Sequence, residues 1–401
     1  MVVQLDMIQT ISIAVVVLFL GQTLRKKISF LEKFCIPAPV IGGIIFAILT
    51  LVLRQTGVLT FEMDTTLQRV LMTAFFTTIG FTASLKLLKK GGLQVFLFLG
   101  LAIALVALQN VVGVSLAKVF HLDPLIGLST GSVPMTGGHG TSGAFAPIFE
   151  NAGAFGATTV AMASATFGLI MGSMIGGPIG KRLIEKHNLA QKSEKKSGNM
   201  GITESEDNTE MPKTLIPNHF AVAASQIIFA MGIGTIISIV LQKTGLTFPP
   251  YIGAMFAAAI MRNLSDSTKI FEVHMDEIDI LGNISLSIFL SMALMGLKLW
   301  ELADLAVPML IMLVAQTTLM GLFAYFITFN LMGRDYEAAV LASGHCGFGM
   351  GATPNAIANM EVISGKFGAA PRAFFILPLI GSLFIDFANA GIITAFMNFF
   401  K

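Results

Sequence analysis

Apolar runs long enough to form membrane helices follow one another along almost the whole chain, near 3–24, 36–53, 68–85, 94–118, 158–180, 217–241, 248–261, 279–297, 306–330 and 374–397. Several approach or exceed the roughly 20 residues that cross hydrocarbon as a helix, and none alternates as a barrel strand does. The pattern predicts ten spans, of which 248–261 is the shortest. Two stretches break it: STGSVPMTGGHGTSGAFAP at 129–147 and ASGHCGFGMGATPNAIANM at 342–360. Irregular backbone survives at membrane depth only where protein or a water-filled cavity satisfies its N–H and C=O groups, so both predict re-entrant hairpins, over 125–150 and 338–360. Close helix packing accounts for glycines such as Gly172 and Gly176. It does not account for Pro134, Pro147 and Pro354.

Residues 185–216 are polar, mixed in charge and poor in aromatics, which predicts a flexible linker between an N-terminal half, 1–184, and a C-terminal half, 217–401. Each half carries five spans and one glycine-rich segment before its last span. Blocks recur at nearly constant distance between the halves. Pro37 and Pro249 are 212 positions apart, as are Lys86 and Lys298; Gly42 and Gly253 are 211 apart, Gly131 and Gly344 213, and Gly172-Ser173 and Gly381-Ser382 209. One such match means little, but five in one register predict a repeat, and an odd span number turns the halves in opposite directions. The expected fold is an all-α polytopic membrane protein of two inverted-topology repeats of five transmembrane helices, each with a re-entrant glycine-rich hairpin.

Composition agrees, with 54% hydrophobic and only 12% charged residues, against about 25% charged in an average soluble domain. A net charge of +2 points to no nucleic-acid partner. Arg25, Lys26 and Lys27 follow the first apolar run, whereas a secretory signal carries its charge before it, so the run is expected to stay as a helix with its N-terminus outside. Threading the spans alternately leaves 19 of the 25 Lys and Arg on the linker side, which identifies that side as the cytoplasm and puts both termini outside. Cys35 and Cys346 are too few for a disulfide framework.

The stretches GGHGT (137–141), GNISLSIFLSMALMGLKLWELADLAVPML (282–310) and GHCGFGMGATPNAIANM (344–360), in a chain of this layout, resemble the bacterial sodium/glutamate symporter family. The likeness covers nearly the whole chain and is weakest in the linker. It implies a transporter and not an enzyme, taking up glutamate with sodium across the bacterial inner membrane by elevator-like alternating access. It further implies two inverted five-span halves with pore loops, and a homodimer in which a mobile transport domain works against a fixed scaffold. The partners would be glutamate, the sodium ion, the lipid bilayer and a second copy, with Na+ as coupling ion and no other cofactor.

Glutamate brings two carboxylates and an ammonium into a low-dielectric site, where each charge needs a partner. No arginine lies within the expected spans at mid-depth, so the donors are expected to be backbone N–H groups at half-helix N-termini, helped by hydroxyls and amides. Thr136, Gly137, Gly138, Gly140, Thr141 and Ser142 are the candidates in the first hairpin. Ser343, Gly344, Gly347, Gly349, Gly351 and Thr353 are those in the second, with Asn355 and Asn359 on one helix face for the ammonium or an ion. Asp386, the carboxylate deep inside a span, is expected to serve sodium or the ammonium together with Asn389, or else to be a buried structural hydrogen-bond partner. Asn110 and Asn283 read as links between helices. His139 and His345 lack the spaced partners of a zinc site and read as hydrogen-bonding groups, so no metal other than sodium is expected. Two other classes remain open. GTSG at 140–143 matches the GxSG pattern of rhomboid intramembrane serine proteases, with Ser142 as nucleophile and His345 as the available base. A passive anion channel would keep the hairpins but calls for rings of like charge that the sequence lacks.

Overall fold

The computed structural model describes residues 2–90, 92–189, 217–243, 248–249, 251–302 and 305–400. The elements of the N-terminal half are β1 (Val2–Leu5), α1 (Met7–Lys27), α2 (Ser29–Lys33), α3 (Ala38–Gln55), β2 (Thr60–Met63), α4 (Thr66–Thr82), α5 (Leu85–Lys90), α6 (Gly92–Val119), α7 (Pro124–Leu128), α8 (Ser132–Met135), α9 (Gly138–Asn151) and α10 (Ala157–His187). The C-terminal half holds α11 (Pro217–Gln242), α12 (Tyr251–Thr268), α13 (Met275–Met295), α14 (Ala306–Leu331), α15 (Tyr336–Gly349), α16 (Thr353–Phe367), α17 (Pro371–Leu383) and α18 (Ile385–Phe400). Helix α10 carries the expected linker's first residues, 185–187, as its last turn; from residue 190 the linker lies outside the described residues.

Among the described residues, α1, α3, α6, α10, α11, α13 and α14 are long and apolar enough to cross a membrane, and the α17–α18 pair makes an eighth span if it is counted as one. The chain is therefore a multi-pass membrane protein with seven or eight candidate spans. The expected spans 68–85 and 248–261 are α4 and α12. The first has 17 residues; the second has 18 and holds Arg262 and Asp266 near its end. The expected span 374–397 is not one helix, because α17 and α18 meet at a 43° bend. Pro378 inside α17 removes a backbone donor, and Asp386 sits in the first turn of α18, where a carboxylate suits a helix N-terminus. One further departure from an all-helical chain is small: β1 lies parallel to β2, Val2 opposite Thr60. The turn after β1 is set by Asp6, whose side chain accepts from the N–H groups of Ile8 and Gln9, both at 2.8 Å, while the Gln9 amide accepts from the Asp6 N–H.

The helices sort into two bundles, each drawing on both halves of the sequence. In the first, α1, α3, α4, α11, α12 and α13 pack chiefly on one another; in the second, α6 to α10 pack with α14 to α18. Glycines let backbones meet within each. A Cβ on Gly42 would fall 2.0 Å from the Val17 carbonyl oxygen, joining α3 to α1, and one on Gly253 would fall 2.1 Å from that of Gly234, joining α12 to α11. Along α10, a Cβ on Gly168 would reach the Met350 carbonyl at 2.2 Å, on Gly172 that of Cys346 at 2.9 Å, and on Gly176 the Asn359 amide at 2.1 Å. That stripe seats α15 and α16, which fits the packing role expected of Gly172 and Gly176. At the foot of α4, Asn263 of α12 accepts from the Leu85 N–H at 2.9 Å and donates to the Ala83 carbonyl at 2.7 Å, so groups freed by the helix end find partners.

Both glycine-rich stretches are broken helices. Residues 124–151 form α7, α8 and α9, with breaks around Gly131 and Gly137; residues 336–367 form α15 and α16, with the break at 350–352.

Candidate functional site

A cavity of about 460 Å³ lies in the seam between the two bundles, within the roughly 300–1,000 Å³ typical of small-molecule sites. The first bundle and its loops contribute Arg25, Cys35, Phe75, Asn283 and Ser287 to its wall. The second contributes both hairpin breaks, from Thr136 to Thr141 and from Gly351 to Asn355, together with Asp386.

The breaks are aimed by local chemistry. Gly138 has φ +60°, a left-handed conformation that glycine adopts without strain, and it turns the chain into α9. A Cβ there would lie 3.2 Å from the Gly351 carbonyl oxygen, so the two tips all but touch. The first intrahelical bond of α9 runs from the Thr141 N–H to the Gly137 carbonyl at 3.3 Å, which leaves the N–H groups of Gly138, His139 and Gly140 ahead of the ladder. In α16 the corresponding bond joins Ala356 to Ala352 at 3.2 Å, leaving those of Thr353 and Asn355. Neither helix has a side-chain cap. Two helix N-termini with unpaired donors and aligned dipoles thus face one cavity, an arrangement that binds anions.

Gln109 of α6 locks the hairpins together. Its amide nitrogen donates to the Gly349 carbonyl at 2.7 Å, its amide oxygen accepts from the Thr136 hydroxyl at 2.8 Å, and its own carbonyl accepts from the Gln316 amide at 2.8 Å. Sequence reasoning missed this residue, although a buried glutamine inside an apolar span is a readable signal. Its neighbour Asn110 accepts from the Ser132 N–H at 2.9 Å, as befits the interhelical link expected of it. Asn283, expected to play the same part, instead lines the cavity.

Of the expected substrate residues, the cavity gathers Thr136, Gly137, Gly138, Gly140, Thr141, Gly351, Thr353 and Asn355. Asn355 is buried; its amide nitrogen donates to the Leu169 carbonyl at 3.0 Å and to the Ser173 hydroxyl at 2.6 Å, while its amide oxygen has no partner among the described residues. The others lie behind the wall. Ser142 donates to the Gly138 carbonyl at 2.7 Å, and Asn359 donates to the Gly172 carbonyl at 2.9 Å and accepts from the Ser343 hydroxyl through its own carbonyl at 3.5 Å. Gly344 backs onto Met360 and Leu377, Gly347 onto Ala356, and Gly349 onto Leu105 and Met320. Asp386 lines the cavity, but Asn389 does not join it there. The Asn389 amide oxygen accepts from the Ser132 hydroxyl at 2.7 Å and its nitrogen donates to the Ser132 carbonyl at 3.3 Å, tying α18 to α8.

Arg25, just beyond the expected span 3–24 and in the last turn of α1, also faces the cavity, so an arginine reaches the site from a helix end although none lies at mid-depth in the expected spans. The histidines go separate ways: His139 pairs with the Thr166 hydroxyl and His345 with that of Thr328, both at 2.9 Å. With His345 so engaged and the Ser142 hydroxyl turned to backbone, the nucleophile–base pair of a serine protease is not assembled.

Comparisons with known proteins point to one family. A sequence model described as sodium/glutamate symporter matches residues 3–369. The chain is 42% identical over 395 residues to the sodium/glutamate symporter of Escherichia coli (strain K12), covering 98% of each chain. It is 42% identical to that of Shigella flexneri over the same length, and 40% identical over 386 residues to that of Haemophilus influenzae, covering 96% of this chain and 95% of the relative. The chain belongs to the sodium/glutamate symporter family, a family of transporters and not of enzymes.

Proposed function

We propose that the chain carries glutamate into the cell together with sodium, the second bundle moving against the first so that the seam cavity opens to each side of the membrane in turn. The observation that carries this reading is the meeting of two uncapped helix N-termini, those of α9 and α16, at one cavity between two bundles. The substrate carboxylates take the free N–H groups there, with the Thr136, Thr141 and Thr353 hydroxyls fixing orientation. Asp386 and the unpartnered amide oxygen of Asn355 supply hard oxygen ligands for sodium or for the substrate ammonium. A low-dielectric site holding both ions couples them, because each lowers the cost of burying the other.

An inverted repeat fits the same account. Gly42 and Gly253, 211 positions apart, seat corresponding helix pairs in the first bundle, and the breaks at 136–138 and 350–352 stand at similar spacing in the second. Both termini then lie outside an inner membrane and the linker in the cytoplasm. The cavity's arginine-bearing rim, which it shares with a second recess holding Lys26 and Glu32, then faces the cytoplasm. The first bundle is the scaffold that pairs with a second copy in a homodimer. The test is radiolabelled glutamate uptake into proteoliposomes under an imposed sodium gradient or a proton gradient alone. Concentrative uptake with sodium only is expected; uptake that merely equilibrates would identify a channel, and uptake driven by protons alone would overturn sodium coupling.

A further inference from the structure

At the foot of the first bundle, away from the cavity, His219 of α11 stacks on His274, the residue that caps α13. Their ring centroids are 3.8 Å apart and their planes differ by 8°. Glu277, one turn into α13, brings a carboxylate oxygen to 3.6 Å from His219 Nδ1, and one ligand atom from each of the three residues lies within 4.8 Å of the others. The Glu277 carboxylate is buried, with only 8% of its side chain exposed, while the two imidazoles are half-buried. A buried carboxylate calls for a positive partner. The loop that carries His274 is pinned to α11 by Gln226, whose amide donates to the Glu272 carbonyl at 2.7 Å.

We propose that His219, His274 and Glu277 form a divalent transition-metal site of the zinc class, which staples the start of α11 to the head of α13. Two imidazoles and one carboxylate are a zinc ligand set with a fourth position left for water, and they do not suit calcium or magnesium, which take oxygen ligands. Tetrahedral bonds of roughly 2.0–2.1 Å hold ligand atoms about 3.3 Å apart, so ligand atoms that now lie within 4.8 Å of one another need to close in by up to about 1.5 Å. Imidazole lone pairs lie in the ring plane, and two nearly parallel rings with centroids 3.8 Å apart cannot both aim at one ion, so binding turns one ring out of the stack. Partial exposure of both histidines leaves room for that turn. The sequence gives no hint of this site, because His219 and His274 are 55 positions apart and match no ligand spacing. It stands independently of the transport reading.

The test is a titration of the full-length protein in lipid nanodiscs with Zn2+ against a competing chromophoric chelator, followed by Co2+ for its visible absorption. One ion per chain is expected, with the intense cobalt bands of four-coordinate geometry, and at least tenfold weaker binding in His219→Ala, His274→Ala and Glu277→Gln. Thermal unfolding without metal shows whether each variant is folded. If a histidine variant is not, His219→Asn or His274→Asn takes its place, and the cobalt spectrum of the unaltered protein still decides the geometry. Substoichiometric zinc, an octahedral cobalt spectrum or unchanged affinity in the folded variants would overturn the site.

Discussion

Asp386 faces the seam cavity from the first turn of α18, and among the described residues its carboxylate has no hydrogen-bond or salt-bridge partner. Leaving a carboxylate uncompensated at membrane depth is costly, so the account gives it a cation. Asp386→Asn keeps a carbonyl oxygen and removes the charge. The sodium concentration for half-maximal uptake is expected to rise severalfold, with a smaller change at saturating sodium, measured on purified and counted protein. A rise in the glutamate requirement at saturating sodium would assign the carboxylate to the ammonium instead, and lower yield with unchanged dependence on both would make it structural. The glycines at the tips give a second test. Gly138→Val places a β-branched side chain at φ +60° and against Gly351, and Gly351→Val crowds Leu169, where a Cβ would lie within 3.2 Å of its Cα. Both are expected to abolish uptake while the protein still inserts, whereas Gly100→Ala, with nothing within 4 Å, transports normally. At this scale the sequence was readable in kind but not in depth. Asn359 shares a helix face with Asn355, yet four residues of helix carry it about 6 Å further from the tip, out of the cavity. Arg25 was hidden for a different reason, since a basic residue ending a span reads as part of the cytoplasmic charge cluster.

Helix α10 shows how an element places a site it barely touches. The glycines at 168, 172 and 176 are spaced by four and bring the second hairpin's backbone against α10. Gly176→Leu would drive its side chain into the Asn359 amide, displacing α16 and its N-terminus. Overpacking of this kind costs about 1–3 kcal/mol. Lower thermal stability in detergent and a higher glutamate requirement are expected together; full stability with normal uptake would mean that α16 does not depend on this seat. The broken hairpins were legible because glycine and proline interrupt apolar sequence, a contrast that survives without any alignment. The α17–α18 bend was not, because Leu383, Phe384 and Ile385 at the bend are as apolar as a continuous span and Pro378 lies several residues before the break. The β1–β2 pair escaped notice because four residues are too few to show alternation.

Two bundles with sparse packing between them and a cavity in the seam are what a carrier needs, because one body can slide past the other without unpacking either core. Neither bundle is contiguous in sequence, so the matching blocks of the two halves predicted repeats but could not say which helices pack together. Cys35, on the scaffold wall, and Asn355, on the opposite wall, come together where the Asn355 amide lies 3.5 Å from the Phe34 carbonyl. The central claim, that glutamate and sodium occupy this seam, is tested most directly with that native thiol. Cys346 is buried, so Cys346→Ala leaves a single reporter. The rate at which a maleimide labels Cys35 in proteoliposomes is then measured with sodium, with glutamate, and with both. The account predicts severalfold slower labelling only when both are present; a rate unchanged by glutamate and sodium, in a preparation whose uptake is intact, would contradict it.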